Sequence, residues 1–239
     1  MLGRTHAKGG EVAALGGYTL LSSAGVLDQI PVMKPLSFLI IYPFAIWAST
    51  APDLDHGKQS IPSKDVVSRS IWYVLHATTG LRKKMRKTQF GYNALGVFDA
   101  KHRSWQTHSY EALFALVFLA YWLCTSNIAQ GIGQTQSAIL RLVALGLALG
   151  WLAHIVLDGI TPDGIHIATC CILNDIVFKG KKTLPETIKV VPQTQFFATG
   201  GGNPKTRGNW YWERIVYTVL QVTAWVLLFW MVLGWLGLV

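Results

Sequence analysis

The chain is short of charge. Only 14% of its 239 residues are Asp, Glu, Lys or Arg, against about a quarter in a soluble globular domain. Disordered chains and coiled coils need a high charge density and collagen needs a short repeat, so all three are excluded. Cysteine is scarce as well. Cys124, Cys170 and Cys171 are odd in number, and two of them are adjacent, which supplies neither a disulfide framework nor a CxxC metal knuckle. No internal repeat is present, and the segment from Met1 to Gly10 lacks the compact apolar run and cleavage site of a signal peptide. Hydrophobic residues are abundant, at 51%, and include ten Trp. In a chain of one domain's length that balance points to lipid as the solvent.

A membrane span needs roughly 20 mostly apolar residues. Three windows meet this well: Tyr110 to Asn127, Ile139 to Leu157 and Ile215 to Val239. Leu36 to Thr50 is short but uncharged, and Val12 to Ile30 is a weaker, Gly- and Ser-rich candidate that needs helical neighbours to cover it. Threaded as alternating passes, these five windows put nineteen of the 21 basic residues on one side, leaving only Lys34 and Arg141 opposite. The positive-inside rule makes the basic side cytoplasmic and places the N-terminus inside. The net charge of +9 is thereby accounted for by topology and anionic lipid headgroups, and no nucleic-acid partner is expected. The expected fold is an all-α, polytopic integral membrane helical bundle of four to five transmembrane helices. Residues 1–178 form its embedded domain, 179–214 a basic and partly irregular cytoplasmic segment, and 215–239 a C-terminal transmembrane helix.

Seven His occur, and most lie where the spans meet the basic side. His6 precedes the first window; Asp53, Asp55 and His56 (PDLDH) follow the second; His102 and His108 (KHRSWQTHS) precede the third; His154 and Asp158 (HIVLD) close the fourth. His154 and Asp158 are four apart, so a helix projects them from one face, where they can share an ion or make a helix-end hydrogen bond. Ionisable groups at membrane depth are costly and mark function by default. In PDLDH, two carboxylates two residues apart can converge on a cation, or form an Asx turn. His102 and His108 would lie about 120° apart on one straight helix, so a break between them is expected, with Thr107 as an N-cap. Lys101 and Arg103 are candidate phosphate clamps or topogenic charges. His76 reads as a packing or interfacial residue, and His166 as a residue outside the site, with approach to it as the lesser alternative. His6, Asp53, Asp55, His108, His154 and Asp158 are expected to converge on at least one divalent ion, with His56 and His102 beside them. Imidazole with carboxylate suits Zn²⁺, and Mn²⁺ is also compatible.

The ordered set Thr5-His6, PDxDH (Pro52 to His56), His102-Arg103 with Thr107 to Ser109, HxxxD (His154, Asp158) and TPDG (Thr161 to Gly164) resembles the YdjM-like family of LexA-regulated bacterial inner-membrane proteins, read as metal-dependent hydrolases. One spacing departs from the family pattern: Ser104-Trp105-Gln106 separates Arg103 from Thr107, one residue more than usual, which leaves open whether His102 or only His108 holds the ligand position. The order of His and Asp is also remotely similar to that of zinc-dependent phospholipase C. These resemblances imply phosphoester hydrolysis on a lipid or lipid-linked phosphate in the bacterial inner membrane. Asp55 would be a ligand or the base that orients water, Arg103 would steady developing charge, and Arg103, Thr107 and Ser109 would meet the substrate. The alternative is a non-catalytic membrane protein with a structural metal site, whose basic loops recruit a partner or anionic lipids.

Overall fold

The computed structural model describes residues 3–52, 109–125, 133–161, 164–178, 181–188 and 211–238. These residues are mostly helical. In chain order the elements are α1 (Gly3–Ser23), a 3₁₀ turn (Leu27–Gln29), α2 (Lys34–Ala48), α3 (Tyr110–Thr125), α4 (Gln134–Gly159), β1 (Ile165–His166), α5 (Ala168–Ile176), β2 (Thr187–Ile188) and α6 (Tyr211–Trp235). The two strands are a minor departure from an all-helical chain. They pair antiparallel, with Ile165 opposite Ile188 and His166 opposite Thr187.

The helix boundaries depart from the expected windows, α4 starting at Gln134 rather than Ile139, and two of the departures bear on the site. The first helix covers Gly3–Ser23 rather than Val12 to Ile30. It stops because Gly25 adopts φ +71°, where the Val26 amide donates to the Leu21 carbonyl at 3.0 Å and the Gly25 amide to Ser22 at 3.1 Å. That six-to-one pair with its inner partner is the closure a left-handed glycine permits. Asp28 consequently sits in the turn, 2.8 Å from Lys34 Nζ, and His6 lies inside a helix instead of ahead of one. The last helix starts at Tyr211, four residues before the expected Ile215, and so takes Trp212, Glu213 and Arg214 into its first turn.

In lipid the helices gain little from hiding apolar surface from one another, so close packing must hold them together. Glycine supplies the closeness between α2 and α4. A Cβ on Gly146 would stand 2.6 Å from the Ile41 carbonyl oxygen, and one on Gly150 would overlap the backbone of Ala45. On α1, Gly10 meets Ser49 and Ala45 in the same way. α1, α2 and α4 thus form the centre of the bundle, with α6 against α1 and α3 against α4. Their shared core gathers Leu15, Tyr18, Phe38, Ile41, Leu142 and Met231. At one end of it Trp235 donates its indole N–H to the Tyr18 hydroxyl at 3.3 Å, and Tyr18 meets Phe38 edge-on at 5.3 Å.

Among the described residues two helices, Gln134–Gly159 and Trp212–Trp235, are long and apolar enough to cross a membrane. In the second, only 17% of the most apolar window is buried, and Trp225, Phe229 and Trp230 point outward. A soluble core helix would hide such a surface, whereas a lipid-facing helix leaves it open.

Candidate metal centre

The beginning of α1 and the end of α4 run past each other, and each brings imidazole to the crossing. His6 lies on the first turn of α1, and His154 and Asp158 lie one turn apart on the last turns of α4. All three are buried, at 1%, 0% and 1% exposure. The apposition depends on small residues. Gly9 of α1 faces Leu157 of α4 so closely that a Cβ would require Leu157 to move.

Their atoms form a compact donor set. His6 Nε2 is 3.5 Å from Asp158 Oδ1 and His154 Nε2 is 3.3 Å from Asp158 Oδ2. The two imidazole rings stack with centroids 4.0 Å apart and planes 18° from parallel. One ligand atom from each residue lies within 4.8 Å of the others. Two ligands held at ~2.0–2.2 Å from one ion at a tetrahedral angle stand roughly 3.4 Å apart, so the nitrogen-to-oxygen separations suit common coordination. Among the described residues this is the one group of three or more His, Cys, Asp or Glu side chains close enough to hold an ion.

The orientation of His154 is set from outside the group. Its Nδ1 lies 2.7 Å from the carbonyl oxygen of Ser49, at the end of α2. A carbonyl only accepts, so Nδ1 carries the hydrogen and the lone pair of the neutral ring is on Nε2, facing Asp158. The backbone beyond Asp158 is also fixed. The Thr161 hydroxyl and amide both donate to the Asp158 carbonyl, at 2.7 and 2.9 Å, and the Gly164 amide donates to Thr161. Gly164 has φ +75°, which explains glycine in the TPDG stretch: the chain reverses there immediately before β1.

The structure therefore brings together His6, His154 and Asp158 of the expected set. Asp53, Asp55, His56, His102, Arg103, Thr107 and His108 lie outside the described residues. Ser109 is fully buried and accepts the Ala112 amide at 3.1 Å, capping α3, while its backbone bridges to His166. His166 itself is on β1 with Nδ1 3.9 Å from Cys171 Sγ, apart from the donor set. Two features of the centre have no counterpart among the sequence expectations. One is the Ser49 carbonyl, a backbone group with no sequence signature. The other is Glu213 of α6, 1% exposed, whose Oε1 accepts the Thr5 hydroxyl at 2.8 Å. A carboxylate beside Arg214 at the head of a long apolar run was the signal available for it.

No curated protein and no solved structure matches the chain. A family model does match, over residues 1–237, and it covers every described element, the C-terminal helix included. With that extent of match, the chain belongs to the family described as the YdjM inner membrane protein.

Proposed function

We propose that the chain is a multi-pass protein of four or five spans that holds a divalent ion, Zn²⁺ or Mn²⁺, with His6, His154 and Asp158 and hydrolyses a phosphoester of a lipid or lipid-linked substrate. One observation carries this reading: three buried side chains of ligand type, drawn from two helices, present donor atoms within 4.8 Å of one another. A divalent ion shared by two buried imidazoles and a carboxylate would offset part of the cost of burying them together. The family description names a membrane and no reaction, and the hydrolytic step is what the resemblance to metal-dependent hydrolases implies, with donors of a type compatible with it.

The site lies where α1 begins and α2 and α4 end, and the Asp28–Lys34 pair marks the opposite end of α1 and α2. Nineteen of the 21 basic residues fall in the stretches of sequence that join elements at the first of these ends, which the positive-inside rule assigns to the cytoplasm. A phosphate of the inner leaflet lies at that depth. A bound divalent ion supplies a Lewis acid there and makes a water acidic enough to yield hydroxide near neutral pH. Ser49 holds the His154 ring in the tautomer that presents Nε2, and Thr161 holds the backbone of Asp158. Asp53 follows Ser49 by four residues in the sequence, and in this reading Asp53, Asp55 and His56 add ligands or a base, with Arg103 and Thr107 as groups for the phosphate.

The test is elemental analysis and turnover of purified protein. Wild-type protein should carry a stoichiometric divalent ion and hydrolyse lipid-linked phosphoesters faster than soluble ones, while Asp158→Asn and Asp55→Asn should abolish turnover. An ion present with no hydrolysis of any phosphoester would favour the structural-metal alternative, and turnover surviving Asp158→Asn would overturn the hydrolase outright. Topology is tested separately by cysteine accessibility. Labels near Lys84 and Lys205 should report the cytoplasm and one near Gly131 the outside.

A further inference from the structure

The C-terminal helix reaches the centre through two consecutive residues. Glu213 Oε1 accepts a hydrogen bond from Thr5 Oγ1 at 2.8 Å, between side chains 1% and 0% exposed and 208 positions apart. Trp212 donates its indole N–H to the Ile160 carbonyl at 3.1 Å. Thr5 is the residue before His6, and Ile160 is two residues beyond Asp158. Adjacent side chains on a helix diverge by about 100°, which lets one turn of α6 touch α1 with one residue and the end of α4 with the next. Further along, α6 is buried through Val216, Ala224 and Met231, none of which has a side-chain hydrogen-bond donor.

A carboxylate hidden in the first turn of an apolar helix is costly, so its position demands a return. Simple anchoring of α6 would be served as well by another apolar contact like that of Ala224. What a hydrogen bond adds is direction. It fixes the rotation of the first turn of α1, and with it the ring of the next residue, to within the few tenths of an ångström that ligand geometry tolerates.

We propose that Trp212 and Glu213 form a clasp that positions the candidate ligands, with Glu213 acting on His6 through Thr5 and Trp212 acting on His154 and Asp158 through Ile160. The clasp rests on the metal reading for its purpose but not for its existence. It makes the last helix part of the centre, although that helix contributes none of the three clustered donors.

The experiment uses full-length protein in detergent and two readouts. The first is Zn²⁺ affinity, measured by competition with a chromophoric chelator. The second is the rate at which diethyl pyrocarbonate modifies His6 and His154 in metal-stripped protein, resolved by peptide mass. Glu213→Ala should weaken Zn²⁺ binding by about 10- to 100-fold, as removal of groups that orient ligands does elsewhere. It should also speed modification of His6 more than of His154. Glu213→Gln keeps an acceptor oxygen and should restore both readouts, and Trp212→Phe should expose His154 in preference to His6. Wild-type behaviour of Glu213→Ala in both readouts would overturn the clasp and leave the metal reading standing. Equal acceleration of both histidines in Glu213→Ala and Glu213→Gln alike would overturn it too, by showing an anchor of the whole fold. Selective exposure of His6 in Glu213→Ala, in a protein that binds no Zn²⁺, would support the clasp and sink the metal reading.

Discussion

The two ends of the helix bundle are built on opposite rules. At one end the buried residues include Tyr18, Phe38 and Met231, with Trp235 closing over them, and polar contacts there are few among the described residues: the indole-to-hydroxyl bond and the Ser37 hydroxyl on the Met33 carbonyl. At the other end they are Thr5, His6, His154, Asp158 and Glu213, all at 1% exposure or less. Apolar side chains hold their end together by shape and dispersion alone. The polar end gains nothing from burial itself, and its residues persist there because each is matched to a partner from another helix. The aromatic end can therefore be repacked without chemical loss, whereas a change at the polar end alters the donor atoms of the candidate centre.

The sharpest way to break that contrast is to damage each end in turn. Asp158→Asn removes the carboxylate that both imidazoles approach, and Zn²⁺ affinity should fall by more than about 100-fold, beyond the effect of a merely supporting residue. The helical content and melting behaviour of the protein in detergent should be nearly unchanged. Phe38→Ala should do the reverse. Loss of a buried ring costs about 3–5 kcal/mol of stability, read from denaturant titration, while the folded fraction keeps its full complement of metal. Collapse of Asp158→Asn, or loss of metal from folded Phe38→Ala, would show that the two ends are not separable.

A smaller effect is expected where the ends are joined. Gly150 lies on the face of α4 that meets α2, and an added methyl would press on the Ala45 backbone. Overpacking of this kind costs about 1–3 kcal/mol. Because α2 also delivers the Ser49 carbonyl to His154, Gly150→Ala should lower stability and metal affinity together. Parallel loss in both measurements is the expected signature, and a stability loss with unchanged affinity would confine the coupling to packing.

How legible this was in the sequence depended on the kind of force at work. The helices at 134–159 and 211–235 were readable as long apolar runs, since composition alone marks a lipid-facing helix. The first helix was displaced in the expectation because Thr5, His6, Lys8 and Glu11 are poor signals for an apolar span. The helix nevertheless begins among them, where Lys8 pairs with Glu11. His154 and Asp158 were found through their spacing of four, and His6 through its place beside a span. The rest of the centre was hidden for a physical reason. Contacts such as Thr5 to Glu213 and His154 to Ser49 join residues 208 and 105 positions apart, and no local periodicity encodes them.

The smallest effect lies outside both ends, in the segment that folds over α5. Glu186 accepts the Asn174 amide at 3.2 Å and pairs with Lys182 at 2.9 Å, and its backbone carbonyl accepts the Ile167 amide at 2.9 Å. Burial, the largest single influence, pushes its carboxyl up, but hydrogen bonds from Lys182 and Asn174, with the positive charge of Lys182, outweigh it and hold the group below the usual carboxylate value. A carboxyl depressed in the folded state stabilises fully above its unfolded value of 4.5, and that contribution is lost as pH falls through the lower, folded value. Lys182 is 79% exposed, so solvent screens the pair and its worth is about 0–1 kcal/mol. Acidification should therefore loosen the segment only slightly, because the Asn174 carbonyl oxygen still accepts the Thr183 and Leu184 amides at 3.1 and 2.9 Å. Amide-exchange protection at Ile167, corrected for the intrinsic pH dependence of exchange, should hold down to pH 4.5 and decline below it in wild-type protein and stay flat in Glu186→Gln, with Leu184 protected in both. A decline of equal size in Glu186→Gln would assign the acid response to some other group and leave this segment outside the electrostatics of the fold.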